Sequence, residues 1–149
     1  MSIRISRVAS NEEYEACLSI RRKVFIEEQG ISESIEMDDD RIDATNFIAL
    51  LDDHFAGTAR YQNTSHGIKL ERFAVLRFYR NLGIGKALVK FMLDTIHGDE
   101  EIYLHAQEAV VKFYLPLGFK KIGERFFEAG IPHWTVSYTH LTLPTTPYV

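Results

Sequence analysis

The heptapeptide Arg80-Asn81-Leu82-Gly83-Ile84-Gly85-Lys86 has the composition of an anion-binding turn. Glycines let the backbone approach a ligand closely. A turn that opens a helix also aims several N–H groups, and the positive end of the helix dipole, at one point. Arg80 adds a guanidinium suited to charge-assisted hydrogen bonds with phosphate oxygens. The chemistry is that of a pyrophosphate cradle. Two commoner phosphate motifs are excluded by residue type. A Walker A loop needs Gly where Arg80 stands and Ser or Thr where Ala87 stands, and a dinucleotide fingerprint needs Gly where Leu88 stands. Metal-free capture of a pyrophosphate with a long organic tail fits what is left.

Other reactive groups are scattered. Glu71 precedes the turn, and strand alternation would give it the same face as Phe73 and Val75. Partial burial would raise its pKa and suit it to accept an amine proton, while an ion pair with Arg72 or another neighbour is the structural alternative. His133 titrates near neutrality and could serve as a base, or could simply start the last strand. His105 reads as incidental. Tyr114 beside Phe113 reads, on its own, as a core aromatic. Cys17 falls on a helical stripe with Tyr14, Leu18, Arg21, Val24 and Phe25, which suits a small buried residue better than a nucleophile. No histidine pair has His-x-x-x-His spacing, and Cys-x-x-Cys and Gly-x-Ser-x-Gly are absent, so neither a metal site nor a serine-hydrolase elbow is expected.

The elements that must position these groups follow from periodicity. Ile3 and Ile5 alternate with polar residues as a short strand. Ser10 and Glu13 form a capping-box signature for a helix running to about Glu28, with Gly30 as its stop. Ile31 to Asp43 is a long acidic connection that reads as a solvated charge run. Asn46 to Leu51 and Phe55 to Tyr61 form a hairpin across Asp52-Asp53-His54, and Asn63 to Gly67 is a second turn. Ile68 to Val75 is the strand entering the cradle. The helix leaving it carries Leu88, Val89, Met92, Leu93 and Ile96 on one face, and Gly98 follows. Ile102 to His105 must lie parallel to Ile68–Val75, because a helix joins them. A short helix over Glu108 to Leu115 and strands at Phe119–Phe126 and His133–Ser137 complete an α/β fold of mixed α+β kind, a mixed central sheet with helices on both faces.

The 149 residues suffice for one domain with a buried core, and 46% hydrophobic and 26% charged residues are ordinary globular values. A net charge of −4 argues against a nucleic-acid partner. One cysteine excludes an intramolecular disulfide and fits a reducing compartment. No apolar run approaches the ~20 residues of a membrane span, and Met1 to Ser10 lacks a signal-peptide core. A soluble, cytoplasmic protein without a membrane partner is expected, with a homodimer left open.

The segment from Leu70 to Leu93 resembles motif A of the GNAT superfamily of acyl-CoA-dependent N-acetyltransferases. Ala106-Gln107, Phe113-Tyr114 and Leu117-Gly118-Phe119 resemble its next motif, in the right order. Arg22 to Gln29, Leu70-Glu71-Arg72, Ala106-Gln107 and Glu128 to His133 look like the small single-domain ElaA/YjcF-type branch, and the resemblance runs from about Ile3 to Thr135. It implies two parallel strands splayed at the cofactor site and acetyl-CoA as co-substrate. The pantetheine would lie along Phe73, Ala74 and Val75, with the Val75 N–H on the thioester carbonyl. The pyrophosphate would sit on Arg80 to Lys86, and Gln107 and Phe113 would line the cofactor. Tyr114 would protonate the leaving thiolate, and Glu71, His133 or water would act as base. The early helix and the acidic connection would wall a site for a small-molecule or peptide amine, although Asn46 stands where relatives carry His. A non-catalytic acyl-CoA-binding module, or a transferase using a longer acyl-CoA, is the competing expectation. The domain is expected to span 1–136, with 137–149 (Ser137 to Val149) as a tail outside it: the resemblance stops, the apolar face switches, and Pro144 and Pro147 oppose a central strand.

Overall fold

The computed structural model describes residues 1–32 and 43–139. Seven strands form one sheet in the order β1-β2-β3-β4-β5-β7-β6. They are β1 (Ile3–Arg7), β2 (Thr45–Leu51), β3 (His54–Thr64), β4 (Gly67–Val75), β5 (Ile102–Gln107), β6 (Phe119–Glu128) and β7 (Ile131–Tyr138). The helices are α1 (Asn11–Arg21), continued by a π-helical stretch (Arg22–Glu28), then α2 (Ile84–Thr95) and the single turn α3 (Val111–Tyr114). The chain divides into two compact units, Met1–Asn63 with Leu70–Gly98, and Thr64–Lys69 with Asp99–Val149. Among the described residues no helix is long and apolar enough to cross a membrane.

In the first unit, Ser10 caps α1 by accepting from the Glu13 N–H at 3.2 Å. The Glu13 carboxylate reaches back to the Ala9 N–H at 2.8 Å, one residue earlier than the usual capping box. α1 does not run to Glu28 in α geometry. From Arg22 the chain widens into the π form, which rotates the following side chains relative to an α-helix and commonly marks a functional position. Cys17, Ile20 and Val24 pack with Ile48 and Ala74 in the core. The Cys17 thiol donates to the Phe47 carbonyl, and burial pushes its pKa up, so it is a packing residue. β2 and β3 are joined through Asp52 and Asp53, both in the left-handed region at φ 48° and 70°, as a two-residue type I′ hairpin requires. α2 buries Ile84, Leu88, Val89 and Met92.

In the second unit, β7 pairs antiparallel with both β5 and β6. Ile102, Leu104, Val111, Tyr114, Phe119 and Val136 are buried there. β7 also corrects the expected domain boundary. Ser137 and Tyr138 are not tail: Ser137 pairs with Tyr103, Tyr138 pairs with Phe119, and the Thr139 N–H donates to the Gly118 carbonyl at 2.8 Å. Pairing along β7 continues through Tyr138, past the point where the resemblance stops, because both neighbouring strands still offer partners. The acidic run Glu36 to Asp40 and the tail from His140 onward lie outside the described residues.

Candidate active site

The cradle is built from backbone. Asn81 at φ 64° and Gly83 at φ 89° bring the chain out of a short 3-10 turn (Arg77–Tyr79) and into α2. Gly83 is the N-cap, and a Cβ added there would meet nothing within 4 Å, so its conformation rather than space demands glycine. Gly85 is absent from the left-handed set, so conformation does not explain it. Glycine inside a first helical turn lowers helix stability, and close approach of a ligand is the reason that fits. The end of α2 is also electrostatically open. No side chain caps Gly83, and no acidic residue lies in the first turn, whereas α1 carries Ser10, Glu12 and Glu13 at the same place. The N–H groups of Ile84, Gly85 and Lys86 are those a helix cannot satisfy internally, and they suit an anion. Asn81, Leu82 and Lys86 are exposed, whereas the Ile84 side chain is buried, so Ile84 can offer only its N–H. Beneath the turn, Gly57 of β3 lets strand and helix close up: a Cβ there would stand 3.1 Å from the Ala74 carbonyl oxygen and from Ile84.

Arg80 is differently engaged from the phosphate ligand expected of it. Its Nη1 and Nη2 donate to the two oxygens of Glu28 at 2.6 and 2.7 Å, and its Nε donates to the Val75 carbonyl at 2.9 Å. The hydrogen bonds from Arg80 hold the Glu28 carboxyl below its ordinary range. This bidentate fork ties the end of the π-helical stretch to the end of β4. It fixes the backbone at Val75, where the thioester carbonyl is expected.

β4 also departs from the expected regular strand. Arg72 has φ 57°, outside the β region, and buried positions run Leu70, Glu71, then Ala74. Period-two alternation is therefore broken between Glu71 and Phe73, so the face-sharing argument for Glu71 fails. Phe73 and Val75 are half-buried and Ala74 is buried. Glu71 is in an ion pair with Arg60: Arg60 Nε lies 2.7 Å from Oε2, with side chains only 3% and 7% exposed. Gln62 donates to the same oxygen at 3.0 Å. This buried ion pair is the structural alternative to a role as base.

In the second unit Tyr114 is buried between Phe113, edge-on at 5.0 Å, and Phe119 at 5.7 Å. Desolvation raises its pKa above the ordinary 10.0, so the phenol keeps its proton throughout the neutral range. Phe113 is 37% exposed. Gln107 ends β5 directly opposite His133 on β7. His133 is buried, stacks on Phe126 and bonds through Nδ1 to the Ile131 carbonyl at 2.7 Å. Its Nε2 lies 3.7 Å from Oε1 of Glu128, whose other oxygen accepts from His105 Nδ1 at 2.9 Å. The sequence reading gives no individual role to Glu28, Arg60 or Glu128, and the contact with Glu128 brings in His105, which that reading leaves as incidental. Among the described residues no group of three His, Cys, Asp or Glu could hold a metal ion.

The family model for the acetyltransferase (GNAT) domain matches residues 8–139. The N-acetyltransferase YjcF of Bacillus subtilis (strain 168), itself uncharacterized, is 32% identical over 132 residues, covering 85% of this chain and 93% of its own. The crystal structure of Escherichia coli ElaA superimposes with a TM-score of 0.80 at 25% identity, over 93% of this chain and all of ElaA (100%). An acyl-CoA N-acyltransferase from Pseudomonas aeruginosa shares the fold with a TM-score of 0.79 at 21% identity, over 93% of this chain and 100% of that one.

Proposed function

From the premise that this chain belongs to the GNAT acetyltransferase family, whose members transfer acyl groups from acyl-CoA, we propose that it moves an acetyl group from acetyl-CoA to a primary amine by direct attack, in the cytoplasm. The observation that carries the reading is the open N-terminus of α2. Gly83 is left-handed, Gly85 has no side chain, and neither a capping side chain nor an acidic residue in the first turn of α2 competes with an incoming diphosphate. The cofactor fits this cradle through the N–H groups of Ile84, Gly85 and Lys86, with Lys86 adding positive charge.

The chain's residues then have distinct tasks. The Val75 N–H, held in place through the Arg80 fork, donates to the thioester oxygen as negative charge develops there. His133 accepts the proton that the ammonium must lose before its nitrogen can attack. The C–N bond forms, the C–S bond breaks, and Tyr114 donates to the departing thiolate. Its raised pKa makes complete transfer uphill, so its contribution is a hydrogen bond to developing charge, with the second amine proton ending on sulfur. Glu71 is the structural partner of Arg60.

The test is thiol release from acetyl-CoA across a panel of primary amines, with the acetylated amine identified by mass. Amine-dependent thiol release matched by amide is expected. Tight acetyl-CoA binding with no thiol release for any amine would overturn the reading in favour of a binding module.

A further inference from the structure

We propose that Oε1 of Glu128 and Nε2 of His133 form the seat of the acceptor's ammonium group, and that His105 is a positioning residue that holds Glu128 for it. This rests on the reading of the chain as an amine acyltransferase and deepens it.

The hydrogen-bond pattern fixes which atoms donate. The Ile131 carbonyl can only accept, so His133 carries its hydrogen on Nδ1, 2.7 Å away. In the neutral ring Nε2 is then an acceptor. Glu128 is ionised, its pKa lowered first by the hydrogen bond from His105. An ionised carboxylate only accepts, so His105 Nδ1 is the donor at 2.9 Å. When the His133 ring is neutral, its Nε2 and Oε1 of Glu128 face each other at 3.7 Å as two acceptors. That separation exceeds a direct hydrogen bond, and like-polarity lone pairs gain nothing from closing it. A group with several N–H donors and a positive charge satisfies both, and a primary ammonium is such a group.

The rings cannot easily turn away. Phe126 stacks on His133 at 5.8 Å and meets His105 edge-on at 4.9 Å. The charged groups facing Glu128 are His105 on β5, His133 on β7 and Lys69 on β4, and the carboxylate is still 43% exposed. An incoming cation thus has access to it. The proton accounting closes. One ammonium proton passes to Nε2, giving an imidazolium that faces the Glu128 carboxylate. The neutral nitrogen attacks, its second proton leaves with the thiol, and the imidazolium returns its proton to solvent.

The test follows the imidazole nitrogens of the full-length protein by histidine-selective NMR during titration with benzylammonium chloride, and separately with benzyltrimethylammonium chloride. The first probe has N–H donors; the second has the same charge and ring without them. Saturable shifts of the His133 and His105 rings are expected with benzylammonium only, lost in Glu128→Gln and weakened in His105→Asn, each checked for a native amide spectrum. Equal responses to both probes, no response in the parent protein, or an undiminished response in Glu128→Gln would overturn the proposal. In steady-state assays Glu128→Gln should lower kcat/KM for the amine by about 10²-fold while KM for acetyl-CoA stays nearly constant. Calorimetric titration with acetyl-CoA separates the two levels. Failure to bind it removes the transferase reading. Binding and amine-dependent turnover with silent histidine rings removes only the ammonium seat.

Discussion

Glu71→Ala distinguishes a buried structural ion pair from a mobile catalytic base. The contact is 2.7 Å between groups that are 3% and 7% exposed, so neither charge has water to fall back on. Removing one partner of such a buried pair costs about 3–5 kcal/mol. Gln62 loses its 3.0 Å acceptor as well. For a chain of this length each kcal/mol lowers Tm by roughly 2–4 °C, so melting should fall by about 10 °C. Urea unfolding should show a lower midpoint at unchanged m, the signature of lost stability without a change in the denatured state. Glu71→Gln keeps the shape and one acceptor oxygen and should fall between the parent and Glu71→Ala. Replacing both partners by apolar residues, Arg60→Met with Glu71→Leu, should recover most of the loss. A Glu71→Ala protein that melts within about 2 °C of the parent, yet has lost turnover, would refute the reasoning and return Glu71 to chemistry.

Gly85→Val should leave the fold intact, since Gly85 needs no left-handed φ, while weakening acetyl-CoA binding at least about tenfold; unchanged affinity by calorimetry would remove the pyrophosphate from α2. Tyr114→Phe should lower kcat by about 10²-fold with acetyl-CoA affinity nearly unchanged, and equal turnover under rate-limiting chemistry would leave Tyr114 a core aromatic. Burial raises the Tyr114 pKa, so folding holds its proton more tightly than the unfolded chain does. Its share of stability is complete below pH 10.0 and is lost as pH rises further, and alkaline melting curves of Tyr114→Phe should lack that loss. Cys17 is fully buried with a raised pKa and should resist an aromatic disulfide reagent in the native protein, reacting only on unfolding; rapid native labelling would contradict its place in the core.

The sequence made local features legible and long-range pairings obscure. Ser10 and Glu13 announce α1, Asp52-Asp53 announces the hairpin, and the strand, glycine turn and helix around Gly83 announce the cradle, because each depends on neighbours within a few residues. Arg72 at φ 57° has no such signature, since nothing in its neighbouring residues calls for a left-handed conformation inside a strand. The fork from Arg80 to Glu28 was not legible because Glu28 lies 52 residues away on a stretch whose π geometry no periodicity predicted. Glu128 and His105 are 23 residues apart and meet only because β7 lies between β5 and β6 and pairs with both. Register of that kind is a tertiary outcome.

The central claim is that the acyl group passes from thioester to amine without resting on the protein. A single turnover with isotopically labelled acetyl-CoA and an accepted primary amine, quenched at successive times and read by intact-mass spectrometry, tests it most directly. The account predicts label in the amide at every time point and an unmodified protein mass throughout. Label that appears on the protein first and leaves it at the rate the amide forms would contradict it.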